Sequence, residues 1–108
     1  MLSAGPAKKV NIYVGEDQQY RGHAVYLEIL DLLFSSGVTD AQAIRALAGF
    51  GADHKMHTTR ILQLTENLPV KIEFIESAEK VEELIPRLRE MVGKGLIEVQ
   101  DTLIVKSS

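Results

Sequence analysis

Residues 69–77, PVKIEFIES, restrict the fold of this chain more than any other stretch. Apolar and polar side chains alternate here, so Val70, Ile72 and Phe74 share one face of a strand. Ser77 can then cap a helix, because apolar residues recur at helical spacing as far as Val92. Pro86 lies inside this helix and should bend it. A strand that leads directly into an amphipathic helix predicts a layered domain in which the helix covers the sheet.

The same order of elements occurs nearer the N-terminus. Alternation over residues 9–14 predicts a strand that ends at Gly15, and residues 23–37, HAVYLEILDLLFSSG, predict a helix with Gly37 as its C-terminal cap. The apolar stripe of this helix comprises Val25, Ile29, Leu32 and Leu33, widened by Tyr26, Leu30 and Phe34.

The remaining segments give one further strand and one ambiguity. Residues 96–100, LIEVQ, predict a strand, followed by a turn at 101–102 and a short edge strand at 103–105. Residues 39–49 are Ala-rich, and their propensity favours a helix. If they instead contain a strand, the order is βαββαβ, an α+β fold of the ferredoxin-like type with both helices on one face of an antiparallel sheet.

Length and composition set wider limits. The 108 residues form one domain, residues 1–108, in which residues 1–8 are expected to be flexible. A net charge of −3 argues against a nucleic-acid-binding protein. The chain has no cysteine, which excludes disulfides and thiolate metal sites, and no apolar run of about 20 residues. A cytoplasmic protein is the expectation.

Two glycine-rich corners stand out as candidate binding elements. Gly49-Phe50-Gly51 precedes a polar run that extends to Arg60, and Gly93-Lys94-Gly95 follows the second predicted helix. A turn with two glycines can aim successive N–H groups at an anion, or it can serve only as a helix cap and a strand start. The first corner is either a hinge or a place where backbone passes close to a ligand.

Five motifs in order resemble those of a known family. They are Ile12–Glu16 (IYVGE), Gly49–Gly51 (GFG), His57–Leu62 (HTTRIL), Leu68–Val70 (LPV) and Val92–Leu96 (VGKGL). The chain is similar to the PII signalling proteins and more closely resembles a small prokaryotic PII-like family of unknown function, the domain of unknown function 190. The resemblance covers residues 9–105.

This resemblance implies a second strand at residues 41–48 and a T-loop-like segment at 49–69. It also implies a homotrimer that binds a small nucleotide between subunits and acts on a partner, a membrane transporter or channel, through the loop of residues 52–66. The candidate nucleotide-binding residues are Gly49, Phe50, Gly51, Gly93, Lys94 and Gly95. Further candidates for phosphate or partner contacts are His57, Arg60, Glu16 and Arg21.

The sequence departs from the PII pattern at the phosphates. PII proteins carry a lysine just after the Gly-x-Gly turn and an arginine pair near the C-terminus, where this chain has Leu96 and a tail without arginine. Fewer cations compensate less phosphate charge. We therefore expect AMP, ADP or a cyclic adenine nucleotide rather than ATP.

Other functions remain open at this point. Asp53, His54 and His57 are metal-ligand types, so a metal-binding trimer of the related copper-tolerance type is one alternative. A structural or adaptor trimer without a ligand is another. The chain has no recognisable nucleophile elbow or P-loop, and we do not expect an enzyme.

Overall fold

The computed structural model describes residues 2–58 and 67–107. One antiparallel sheet contains four strands, in the order Ala41–Arg45, Pro69–Glu76, Gly5–Gly15 and Leu96–Ile104. Two helices cover one of its faces. In chain order the elements are β1 (Gly5–Gly15), β2 (Gln19–Tyr20), β3 (His23–Ala24), α1 (Val25–Ser35), β4 (Ala41–Arg45), β5 (Ala48–Gly49), β6 (His57–Thr58), β7 (Pro69–Glu76), α2 (Ala78–Val92) and β8 (Leu96–Ile104). The short strands pair as two ribbons, β2 with β3 and β5 with β6.

The predicted ferredoxin-like βαββαβ fold is confirmed. No helix in the described ranges is both long enough and apolar enough to span a bilayer.

The core lies between the sheet and the helices, as the alternation in the strands predicts. Val70, Ile72 and Phe74 of β7 are buried, while the residues between them are only partly buried. They pack with Val10, Ile12 and Val14 of β1, with Val25, Ile29 and Leu33 of α1, and with Val81, Leu84, Leu88, Met91 and Val92 of α2. Because both helices meet the same strand faces, the opposite face of the sheet carries the polar side chains.

The ambiguous middle segment contains a strand, as the resemblance implied. β4 pairs antiparallel with β7, with Ala43 opposite Ile72, and the N–H of Ala46 donates to the carbonyl of Pro69 over 2.8 Å. Helix propensity differences of under about 1 kcal/mol per residue are smaller than the gain from adding a strand to an otherwise bare sheet edge.

Two predictions about the chain ends are wrong for one shared reason. β1 begins at Gly5, so residues 5–8, which were expected to be flexible, are strand. β8 runs without a turn through residues 101–102. β8 pairs with β1 from Ile104 opposite Gly5 to Leu96 opposite Tyr13, and Lys8 forms an ion pair with Asp101 across the two strands. This pairing joins segments at opposite ends of the sequence, and local patterns do not reveal it.

The termini of the helices follow the predicted caps. Ser77 accepts the N–H of Lys80 at the start of α2 over 3.2 Å, and Gly37, at φ +80°, follows the C-terminus of α1. The apolar stripe of α1 is narrower than predicted. Phe34 is 86% exposed, because it points away from the face on which Ile29 and Leu33 are buried.

Two phenylalanines provide a matched test of this core. Phe74→Ala removes a side chain that is 1% exposed, and we expect a loss of about 3–5 kcal/mol in the free energy of unfolding. Phe34→Ala makes the same change at an exposed position and should stay within about 0.5 kcal/mol of wild type. Urea unfolding at equal protein concentration measures both, and comparable losses in the two variants would contradict this assignment of the core.

Candidate functional site

A cavity of about 930 Å³ lies where the end of β1 meets the hairpin between β5 and β6 and the turn after α2. Its lining is drawn from residues 13–20, 50–57, 67–69 and 90–98. This volume falls in the range of about 300–1,000 Å³ that is usual for sites that bind cofactors and drug-sized molecules. The cavity is therefore large enough for a mononucleotide.

The structure brings most of the predicted site residues together. Those that line the cavity are Phe50, Gly51, His57, Gly93, Lys94 and Gly95. Gly49 lies behind the lining against Pro69, and Glu16 and Arg21 lie outside it. Arg60 falls outside the described residues. Both glycine corners thus border one cavity of a single chain, whereas the resemblance implied corners from neighbouring subunits.

The turn after α2 depends on its two glycines. Gly93 ends the helix with φ +57° and ψ −99°, a conformation that a side chain would strain. Gly95 has φ +147°, and a Cβ placed there would lie 2.4 Å from the carbonyl oxygen of Tyr13 and 3.0 Å from Cγ1 of Val92. The turn therefore lies directly against the backbone of β1, and only glycine allows this close approach.

Gln18 holds the end of α2 in place, and sequence reasoning missed it. Its side-chain Nε2 donates to the carbonyl of Val92, and its Oε1 accepts the N–H of Gly15 over 3.4 Å. Gln18 thereby satisfies one of the carbonyls left unpaired at the helix C-terminus, next to the glycine turn. Its partner lies 74 residues away in the chain, so no local motif marks this contact.

The hairpin at the other corner is closed by local contacts. The N–H of His54 donates to the carbonyl of Gly51 over 2.8 Å, and the rings of Phe50 and His54 meet edge to face at 5.2 Å. Gly51 itself has no positive φ, and a Cβ added there would meet no atom within 4 Å. The fold therefore does not require glycine at position 51, although this residue faces the cavity.

Asp53 and His57 contact each other in the cavity wall. Nε2 of His57 lies 2.8 Å from Oδ2 of Asp53, and the His57 side chain is only 15% exposed. The hydrogen bond from His57, together with the N–H of Lys55, lowers the pKa of Asp53. His54 faces Phe50 rather than this pair. Across residues 2–58 and 67–107, no three side chains of the His, Cys, Asp and Glu types gather as a metal site would require.

Acidic side chains outnumber cationic ones in the described lining. The carboxylates are Asp17, Asp53, Glu90 and Glu98, and Lys94 is the one permanently charged cation among the described lining residues. Glu98 accepts the hydroxyl of Tyr13 over 2.9 Å, and this contact raises the pKa of Tyr13. A strongly anionic ligand would face repulsion here unless other cations approach.

Two further cations lie near the cavity but are paired elsewhere. Arg45 of β4 contacts Glu16 at 2.9 Å, which ties β4 to the end of β1. Arg21, in the turn between β2 and β3, lies 3.6 Å from Glu90, and the same carboxylate accepts the hydroxyl of Tyr20 over 3.0 Å. Since Glu90 and Tyr20 line the cavity, Arg21 stands at its rim.

Residues 7–104 match the model of a protein family whose description is "Uncharacterized ACR, COG1993", DUF190. The chain belongs to the DUF190 family. A UPF0166 protein of Aquifex aeolicus (strain VF5) is 31% identical over 100 residues, which cover 91% of this chain and 92% of that protein. The resemblance read from the five motifs is thereby confirmed.

Solved structures show that this DUF190 chain has a PII-like fold. The structure of CPII from Thiomonas intermedia K12 bound to ADP and bicarbonate superposes with a TM-score of 0.70 at 19% identity, covering 98% of this chain and 95% of that one. Another structure, of CPII described as a nitrogen regulatory PII-like protein bound to ADP, AMP and bicarbonate, gives 0.66 at 21% identity, with coverages of 92% and 94%.

Alanine substitutions at two cavity glycines test which of them the fold requires. Gly95→Ala forces a Cβ against the Tyr13 carbonyl, and we expect a loss of about 1–3 kcal/mol in the free energy of unfolding. Gly51→Ala places its Cβ in open space, so its stability should match wild type within about 0.5 kcal/mol. Chemical denaturation compares the two, and an unaffected Gly95→Ala protein would disprove the close approach.

The pKa of Asp53 should report on its contact with His57. Because its folded-state pKa is lowered, the pair stabilises the hairpin above the unfolded pKa of Asp53, and this contribution is lost as pH falls through the folded pKa. His57→Leu removes the hydrogen-bond donor and should return the pKa of Asp53 toward its ordinary value. Carboxyl-carbon NMR titrations measure this change, with the pKa of Asp101, which Lys8 lowers independently, as an internal control.

Proposed function

We propose that this protein is a PII-like regulatory protein that binds a small adenine nucleotide in the cavity between its two glycine corners. The observation that carries this proposal is the convergence of residues 50–51 and 93–95 on one cavity of nucleotide size. The fold supports it, because CPII, which shares the fold, is described as bound to ADP and to AMP.

The glycine turn is the proposed phosphate site. Its lack of side chains at 93 and 95 allows a phosphate to approach the backbone N–H groups, and the ammonium of Lys94 adds a cation. The turn follows the C-terminal end of α2, whose dipole disfavours an anion. Donation from Gln18 to the Val92 carbonyl weakens that effect at the carbonyl nearest the turn.

Aromatic and apolar groups elsewhere in the cavity suit the base. Phe50 and Leu96 both line the cavity and are each 57% exposed, so a planar purine would cover apolar surface that is otherwise in water. In the proposed homotrimer, a neighbouring subunit would cover the same residues from outside. The site would then lie at a subunit interface, as it does in the family that the sequence resembles.

The charge balance favours AMP or ADP over ATP. Among the described lining residues, one lysine faces four carboxylates, so the charge of one or two phosphates is compensated better than that of three. Position 96 supports the same preference, because this chain has leucine where PII proteins carry a lysine. Cyclic adenine nucleotides, with a single phosphate charge, also fit this balance.

Nucleotide binding would act on the loop that begins at the hairpin. Asp53 and His57 line the cavity and also close the base of that loop, so occupancy can shift the loop of residues 52–66 between states that a partner distinguishes. A membrane transporter or channel remains the proposed partner, and the proposed role is regulatory rather than enzymatic.

Isothermal titration with adenosine, AMP, ADP, ATP and cyclic AMP tests the proposal. We expect AMP or ADP to bind more tightly than ATP, because the lining residues that the structure describes include a single lysine and no arginine. Gly51→Val should abolish binding without unfolding the protein, since it fills the cavity at a position with free space around its Cβ. Absence of binding by every nucleotide, or full binding by a folded Gly51→Val protein, would refute the site.

A further inference from the structure

Arg21 occupies a backbone conformation that its side chain disfavours. The turn between β2 and β3 consists of Arg21 at φ +52° and Gly22 at φ +84°, between the paired residues Tyr20 and His23. Two positive φ values in a two-residue hairpin turn are typical of type I′, where Asn, Asp and Gly are favoured in both positions. Strain at a residue with a long cationic side chain indicates a role for that side chain.

The guanidinium of Arg21 is held loosely beside the cavity. It lies over the ring of Tyr20 at 5.1 Å, and its nearest contact with Glu90, 3.6 Å, is longer than a hydrogen bond. The Arg21 side chain is 75% exposed and that of Glu90 57%, so water competes for both charges. Tyr20 and Glu90 line the cavity, and Glu90 lies in the last turn of α2, shortly before the glycine turn.

We propose that Arg21 is a ligand of the outermost phosphate and that Glu90 is its resting partner; this inference rests on the proposed function. A phosphate at the glycine turn offers the guanidinium two acceptor oxygens in a matching geometry, which the long contact with Glu90 does not. Arg21 then turns from Glu90 to the phosphate while Tyr20 supports its plane. Carboxylates outnumber cations among the described lining residues, and Arg21 adds a second cation beside Lys94.

With this arrangement, the contribution of Arg21 to binding depends on the number of phosphates in the ligand. Adenosine gives the guanidinium no anion to bind, so it neither needs Arg21 nor disturbs its contact with Glu90. ADP has a second phosphate that extends beyond the glycine turn, so its affinity should depend on Arg21 more than that of adenosine does. Removal of the Glu90 charge frees Arg21 and also lowers the repulsion of the ligand, so it should favour ADP.

Binding by two opposed variants tests this inference. Arg21→Asn keeps a residue that tolerates positive φ and should weaken ADP binding at least about tenfold while leaving adenosine binding unchanged. Glu90→Gln should strengthen ADP binding. Arg87→Gln removes the same charge from an exposed position of α2 outside the lining and controls for net charge. Calorimetry gives the affinities, and thermal unfolding confirms that each variant is folded.

The outcomes separate the two proposals. If wild type binds ADP and Arg21→Asn binds it equally well, or loses adenosine to the same degree, Arg21 is not a phosphate ligand although the nucleotide site stands. A loss in Arg87→Gln equal to that in Arg21→Asn would reduce the effect to net charge and overturn the inference. If wild type binds neither ADP nor adenosine, the proposed function and this inference both fail.

Discussion

The backbone of β1 is the constraint on which the rest of the structure depends. It pairs with β7 on one side and with β8 on the other, and alternate side chains such as Ile12 form the centre of the core. Its C-terminal end also defines the cavity. The carbonyl of Tyr13 leaves no room for a side chain at position 95, and Gly15 lies against Asn67, where a Cβ would come within 2.6 Å of the amide. Any shift of this strand would therefore disturb both walls of the site together with the fold.

The sequence predicts best what depends on neighbours in the chain. The alternation in β7, the caps at Ser77 and Gly37, and the glycine turn after α2 were all predicted correctly because each depends on residues a few positions apart. β4 needed the family resemblance, since its local propensity favours a helix. The full length of β8 was missed because its pairing with residues 5–8 joins the two ends of the chain.

The same division applies to the candidate site. The glycines at 51, 93 and 95 could be recognised, but their function depends on groups brought from elsewhere. Tyr20 lies in a short ribbon that no hydrophobic period marks, Gln18 lies just before that ribbon, and the partners of both are on α2. The excess of carboxylates among the described lining residues arises only when the chain folds, because the net charge of −3 for the whole sequence does not indicate where those carboxylates gather.

The position of the Asp53–His57 pair bears on how a nucleotide could regulate a partner. Both side chains belong to the cavity wall and to the closed base of the hairpin, so one contact takes part in two equilibria. Under the proposed function, a nucleotide that favours the closed hairpin by some factor must itself be bound more tightly, by the same factor, when a partner holds the hairpin closed. A weak contact near the surface suits this role, because a ligand can shift it without any change in the core.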